Sequence, residues 1–458
     1  MADFNADLFV KLYSKMALAL GVTPDPQKIH DKELQELFEA KDPPRPSRLV
    51  AGLENPQYLL AIYNPGQYLP SQMNPESNID DRYALSVLFD VVPQFSWVFR
   101  PAATTISNSY RSILDYKEAP LVSLTPEEKS KLEVAEKYFL EKQEDYYLYM
   151  EKYLVVLDAY DSAKATYING GPAIPSSLKI RLKAAYDQWV AHHKEGVESA
   201  IAVIAQYEAL EPSSFWYKLL DRYKNGTQVA TLGNEFQTVG FSPPYKSWFQ
   251  DAGWTKFIFT QKDMDNQKSS DAIGVAGQLD GDFGIFRISG SGDYSEDSSY
   301  KKMDETTLNF SCELMRISLD RSWMNPLVLS SAAWRWAKGT PVYGQEFSSG
   351  ADIKGGIAPT GSMTVIPTAA ILSRNLKING SFDNTIVKEM NREISANASV
   401  GIGPFTIAGR FNMGHHEESV KGTIATDGIE AKDVQIVALI CEVLPKSPNP
   451  DNKLPWPQ

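Results

Sequence analysis

Cysteine and histidine are the scarcest chemistry-bearing residues of this chain, two and five among 458. Two cysteines, Cys312 and Cys441, cannot build a disulfide framework; two buried free thiols are expected, with a single disulfide between them as the alternative. Long hydrophobic runs are also missing. No stretch approaches about 18 uninterrupted apolar residues, so no membrane-spanning helix is expected. Positive charge is not in excess either. The formal net charge is −12, which argues against nucleic acid as a partner and against simple charge attraction to anionic lipid. The N-terminus has no basic region ahead of an apolar core. It reads as an amphipathic helix with Phe4, Leu8, Leu12, Lys15 and Met16 along one side, not as a signal peptide. A cytoplasmic address follows, and any release would use a non-classical route.

Familiar catalytic signatures are absent as well. There is no P-loop, no nucleophile elbow and no EF-hand loop, and Gly401-Ile402-Gly403 lacks the third glycine of a dinucleotide fingerprint. His192 and His193 are adjacent on a predicted helix and point to different faces. His415-His416-Glu417-Glu418 has no complementary Cys/His pair at usable spacing and reads as a solvated loop. The acid pairs Asp80/Asp81 and Glu127/Glu128 sit at predicted helix starts, where negative charge suits the dipole. The sequence therefore predicts no catalytic residue, no cofactor and no metal ligand set.

What the chain does have is ample apolar material, 43% of residues, and a change of texture halfway along. The predicted class is α+β: an N-terminal helical region with a long antiparallel αα-hairpin, then an antiparallel β-sandwich-like domain. Residues 1–124 read as helices and a proline-dense wrapping segment, 125–225 as the hairpin, 226–445 as a Gly/Ser-rich β domain and 446–458 as an extended tail. Thr125-Pro126-Glu127-Glu128 is a helix start. Beyond it Leu132, Phe139, Tyr146, Tyr153, Tyr160 and Tyr167 recur every seven residues, a coiled-coil-like seam ending at Asn169-Gly170-Gly171-Pro172. A second helix, from Ser176 to about Leu210, carries Trp189, Val197 and Ile204 on the facing line, so the tyrosines should pack on it.

In the second half, Gly284 to Gly290 and Gly403 to Gly409 share the pattern G-x-F-x-I-x-G. Each copy precedes a strand with Cys-Glu-aliphatic, at Cys312 and at Cys441, and a pseudo-symmetric sandwich would make the two cysteines equivalent. Candidate strands include Ala272–Leu279, Gly284–Gly290, Ile394–Val400 and Phe405–Phe411. Such hairpins alternate small polar with apolar residues, so membrane insertion and pore formation lead the functional expectations. A self-assembling scaffold without catalysis is the alternative, and an enzyme with an unrecognised site is the third. The residues expected to meet lipid or a partner protein are Phe286, Ile288, Gly403, Phe405 and Ile407, with Trp248, Trp254, Trp334 and Trp336 from two aromatic clusters. A lipid membrane and a second copy of the chain are the partners these readings imply.

Overall fold

The structure, a computed structural model, describes residues 4–22, 43–49, 53, 56–121, 124–168, 170–208, 212–266, 286–289, 299–301, 309–351, 357–396, 398–413 and 415–457. The fold is α+β. Helices α1 (Phe4–Ala19), α2 (Ile79–Phe89), α3 (Ile106–Tyr116), α4 (Pro126–Ile168), α5 (Ser176–Ala191), α6 (Lys194–Glu208) and α7 (Pro212–Gly226) dominate the first half. Short helices α8 (Gln261–Asn266), α9 (Leu327–Ser330) and α10 (Asn384–Ser395) punctuate the second. The strands are β1 (Tyr58–Tyr68), β2 (Val91–Pro93), β3 (Pro101–Thr105), β4 (Lys117–Glu118), β5 (Thr227–Val229), β6 (Glu235–Gln237), β7 (Gly240–Ser242), β8 (Thr255–Phe259), β9 (Phe286–Ser289) and β10 (Ser299–Lys301). They continue with β11 (Asn309–Asp320), β12 (Arg335–Trp336), β13 (Val365–Asn379), β14 (Ser399–Ile402), β15 (Phe405–Met413), β16 (His416–Lys421), β17 (Thr423–Ile424), β18 (Gly428–Ala431) and β19 (Gln435–Val443).

Helix α4 begins where its sequence says it should. Thr125 Oγ1 accepts from the Glu128 backbone N–H at 3.3 Å, and the Glu128 carboxylate accepts from the Thr125 N–H at 2.8 Å, a reciprocal capping box. It runs 43 residues, roughly 65 Å at 1.5 Å per residue. Gly170, at φ 74°, takes the left-handed conformation that closes it. Along its inner face Tyr146, Tyr153 and Tyr160 are buried. Trp189 of α5 packs on two of them, with ring centroids 5.5 Å from Tyr146 and 5.7 Å from Tyr153. The expected αα-hairpin is therefore present.

Its return arm differs from expectation in one respect. Instead of one helix there are two, broken at His192–His193, where His193 adopts φ 72°. His192 Nδ1 lies 2.6 Å from the Gln188 carbonyl oxygen, and the ring stacks on Tyr149 at 3.5 Å. The apolar line continues across the break, so periodicity gives no sign of it.

The larger sheet has the order β1-β19-β13-β11-β7, with β8 also pairing β11, and β18 and β17 extending from β13. All these pairings are antiparallel. Its inner strands are almost continuously buried runs, Val365–Ser373 and Gln435–Glu442, because the sheet is covered by neighbouring elements. Helix α1 lies against α4, burying Leu8, Leu12 and Met16; its buried Lys15 meets Asp263 at 2.5 Å. A second antiparallel sheet, β10-β9-β14-β15-β16, packs on β1, β18 and β19.

Three findings amend the sequence reading. The proline-dense stretch does more than wrap: β1 is an edge strand of the larger sheet, and Pro65 is tolerated because it falls in the register shift between Ile62 and Gln67. The strand expected over Ile394–Val400 starts later than expected: Ile394 and Ser395 end α10, and β14 begins at Ser399. Asp383 caps that helix by accepting from the Thr385 N–H at 2.7 Å, and Val387 and Met390 form its buried face. Finally, Cys312 and Cys441 are buried free thiols. They lie on β11 and β19 with β13 between them. Cys441 is opposite Pro367, whereas Cys312 sits near the other end of β13, between the pairs Ser311–Lys377 and Glu313–Arg374. That separation rules out a bridge. Burial pushes the Cys312 thiol up to about 12.

The two sequence copies occupy corresponding places. Strands β9 and β15 flank β14, while β11 and β19 flank β13. Gly284, Gly290 and the expected strand Ala272–Leu279 lie outside the described residues.

Candidate metal centre

Helix α2 starts at Asn78, whose side chain accepts from the N–H groups of Asp80 and Asp81. The two acids occupy the first turn, as the dipole argument expects, but they face different surroundings. Asp80 is half-buried and accepts from the Thr231 N–H at 2.9 Å. That hydrogen bond holds its carboxyl below the usual range. Asp81 turns inward, with only 3% of its side chain exposed. One of its oxygens, Oδ2, accepts from the backbone N–H of Asn74 at 2.7 Å.

The other oxygen faces histidine. Met413 of β15 pairs directly with His416 of β16, with only Gly414 and His415 between them in the chain. His416 Nε2 lies 2.9 Å from Asp81 Oδ1, and His415 Nδ1 lies 3.6 Å from the same atom. The two imidazole rings are 4.1 Å apart. One ligand-type atom from each of Asp81, His415 and His416 falls within 4.8 Å of the others. Half of the His415 side chain is exposed, so the cluster opens to solvent on one side.

Strand β16 is an outer strand of the second sheet, and its burial alternates. His416, Glu418 and Val420 turn inward while Glu417, Ser419 and Lys421 face out. Inward of the histidine, Tyr68 of β1 donates its hydroxyl to Glu418 Oε2. Burial pushes the Tyr68 phenol up, and hydrogen bonding to Glu418 adds to the effect, so it remains a donor through the neutral range. Tyr245 donates to the Pro70 carbonyl at 2.5 Å; burial again raises its phenol, with Tyr68, Asp81 and Glu418 contributing electrostatically. Among the described residues, no lysine or arginine forms an ion pair with Asp81 or Glu418.

A second buried polar cluster lies where α4 meets the larger sheet. Arg45 pairs with Asp161 at 2.6 Å, Arg316 with Asp158 at 2.6 Å, and Arg48 with Glu151. Ser318 also donates to Glu151, at 2.8 Å. Glu442 of β19 accepts from the Ser47 hydroxyl and the Arg48 N–H, each at 2.6 Å. Burial pushes the carboxyls of Asp158 and Glu442 up, against the pull of these partners.

The residues nominated from sequence lie elsewhere. Phe405 and Ile407 are fully buried, and Phe405 stacks on Phe310 at 6.3 Å. Gly403 sits in the turn between β14 and β15 at φ 52°, which favours glycine. Phe286 and Ile288 lie on β9, their side chains outside the description. Trp248, Trp334 and Trp336 are core residues; Trp254 is half-buried under the Arg374 guanidinium, 4.5 Å from its ring.

Sequence reasoning missed Asp81 as a partner of the histidines and took β16 for a solvated loop. The two residues are 335 positions apart, and no local spacing connects them. The one available signal was the period-2 alternation of His416, Glu418 and Val420. Compared with known protein families, with characterised proteins and with solved structures, the chain matches none.

Proposed function

We propose that this protein binds one divalent first-row transition-metal ion of the zinc class through Asp81, His415 and His416. The ion would fasten α2 of the N-terminal segment to β16 of the second sheet. The observation that carries this reading is the convergence of three ligand-type atoms within 4.8 Å from segments far apart in sequence. Imidazole nitrogen and carboxylate oxygen are the donors such ions take. The Asn74 N–H on the second Asp81 oxygen supplies the outer hydrogen bond that orients a ligating carboxylate. An ion that bridges two distant segments of the folded chain adds its binding free energy to folding. The protein then acts as a metal-fastened scaffold. Metal-stripped protein titrated with Zn2+ should bind one equivalent and unfold at higher temperature. Asp81→Asn and His416→Ala should do neither. Absence of binding by the native chain would end this reading.

Self-assembly is the second reading. Val134, Leu140, Leu148 and Val155 stand 67%, 61%, 48% and 65% exposed along α4, apolar side chains left to solvent. A sedimentation series over protein concentration, with Leu148→Lys as control, tests it. Membrane insertion through β14–β15 demands more. Val400, Ile402, Phe405 and Ile407 are fully buried and would have to leave the core, at about 1.5–3 kcal/mol each before lipid repays it.

A further inference from the structure

We infer that the outward face of β12 and β4 is a recognition surface for a proline-flanked tryptophan. The chain's own Pro455-Trp456-Pro457 fills it, and the same segment of a second copy takes its place when the two copies exchange. The inference is independent of the metal site.

Alternation along Trp334-Arg335-Trp336 makes the surface. Both tryptophans are buried, and each indole is anchored: Trp334 Nε1 donates to the Val328 carbonyl and Trp336 Nε1 to the Gln345 carbonyl, each at 2.7 Å. Arg335, between them, faces outward with 28% of its side chain exposed. Its partner across the ladder is Glu118, which accepts from Arg335 Nε at 2.5 Å and fixes the plane of the guanidinium. The segment lies against that plane. The guanidinium stands over the Trp456 ring, 4.8 Å from its centroid, and Arg335 Nη2 donates to the Pro457 carbonyl at 3.0 Å. Beyond β4, the Leu121 N–H donates to the Pro455 carbonyl at 2.7 Å.

The segment brings its own shape to these contacts. Its Leu454 N–H donates to the Asp451 carbonyl at 3.1 Å, its Lys453 N–H to the Asp451 carboxylate at 2.9 Å, and the Trp456 indole N–H to the Asp451 carbonyl at 2.9 Å. That turn presents the ring, and Pro455 and Pro457 fix φ on either side of it. Recognition of a preformed, proline-stiffened peptide costs little ordering, so a short peptide should retain it. The chain leaves the core at Ser447, which is fully buried and pairs with Ser348, and from there the half-buried Trp456 is held by surface contacts. Such elements open locally at low cost. An element that opens and matches a surface on its own chain makes identical contacts on a second copy.

The test uses full-length variants that each keep half of the contact. Trp456→Ala keeps the surface and lacks the ring; Arg335→Ala keeps the ring and lacks its seat. In sedimentation velocity neither variant alone should gain a dimer, and their equimolar mixture should form one. A labelled synthetic peptide of residues 449–458 probes the surface without relying on the folding of Arg335→Ala. The Trp456→Ala protein should bind it about 10-fold more tightly than the native chain does, because the native segment competes for the surface. The peptide carrying Trp456→Ala should bind at least about 10-fold more weakly. Peptide that binds Trp456→Ala protein no more tightly than native, or equally well without its tryptophan, overturns the recognition surface. A mixture that sediments as its separate parts, at concentrations where the peptide saturates Trp456→Ala protein, overturns exchange between copies.

Discussion

Two buried polar regions of this molecule keep their carboxylates in different company. Where α4 lies on the larger sheet, Asp158, Asp161 and Glu151 each meet an arginine, and Glu442 is held by a hydroxyl and backbone N–H groups beside Arg48. Where α2 meets β16, Asp81 and Glu418 meet imidazole, phenol and amide, and no lysine or arginine pairs with them among the described residues. In the first region three of the four carboxylates have an arginine of the same chain. In the second, one oxygen of Asp81 faces His415 and His416, the group proposed above to hold a cation. Buried charge is expensive unless compensated, so the contrast sets a structural junction against the site proposed for an ion.

The largest effect should come from opening the completed region. Arg316→Ala leaves Asp158 buried without its partner and should cost about 3–5 kcal/mol in urea unfolding. A loss below about 1 kcal/mol would mean that the junction is held by packing alone. Zinc at about 100 times its dissociation constant should stabilise the native protein by about 2.7 kcal/mol, and Asp81→Asn not at all. Equal stabilisation of the two would place the ion elsewhere.

A smaller effect concerns pH. Burial raises the Glu442 carboxyl, so the folded state holds that proton more tightly than the unfolded state does. Stability from this group is therefore full below the ordinary glutamate value of 4.5 and falls as pH rises through the folded value. Glu442→Gln cannot ionise. Its urea midpoint should improve relative to the native protein between pH 4 and pH 7, and a difference independent of pH would count against burial as the dominant cause. The smallest effect expected is on liposomes. With the β14–β15 side chains in the core, native protein should release no dye above baseline, and release at low protein-to-lipid ratio would bring the membrane reading forward.

Much of the fold could be read from local pattern, and the site could not. Thr125, Pro126 and Glu128 announce α4 within four residues, and the tyrosine period announces its buried face. Such signals are local because helix bonds are local. The break at His193 escaped because the apolar line runs through it. Helix α10 escaped although Asp383, Val387 and Met390 form a capped amphipathic pattern, since the glycine- and serine-rich texture around it favoured strands. The pairing of β1 with β19 joins Tyr58 to Glu442, and the site joins Asp81 to His416. Both are contacts between the ends of the chain, and neither period nor spacing records them.

The most direct test is isothermal titration of metal-stripped, full-length protein with Zn2+, run beside Asp81→Asn and His416→Ala. The account predicts saturable binding of one equivalent to the native chain and loss of it in both variants. Native protein that takes up no zinc, or variants that bind it equally well, would contradict the account.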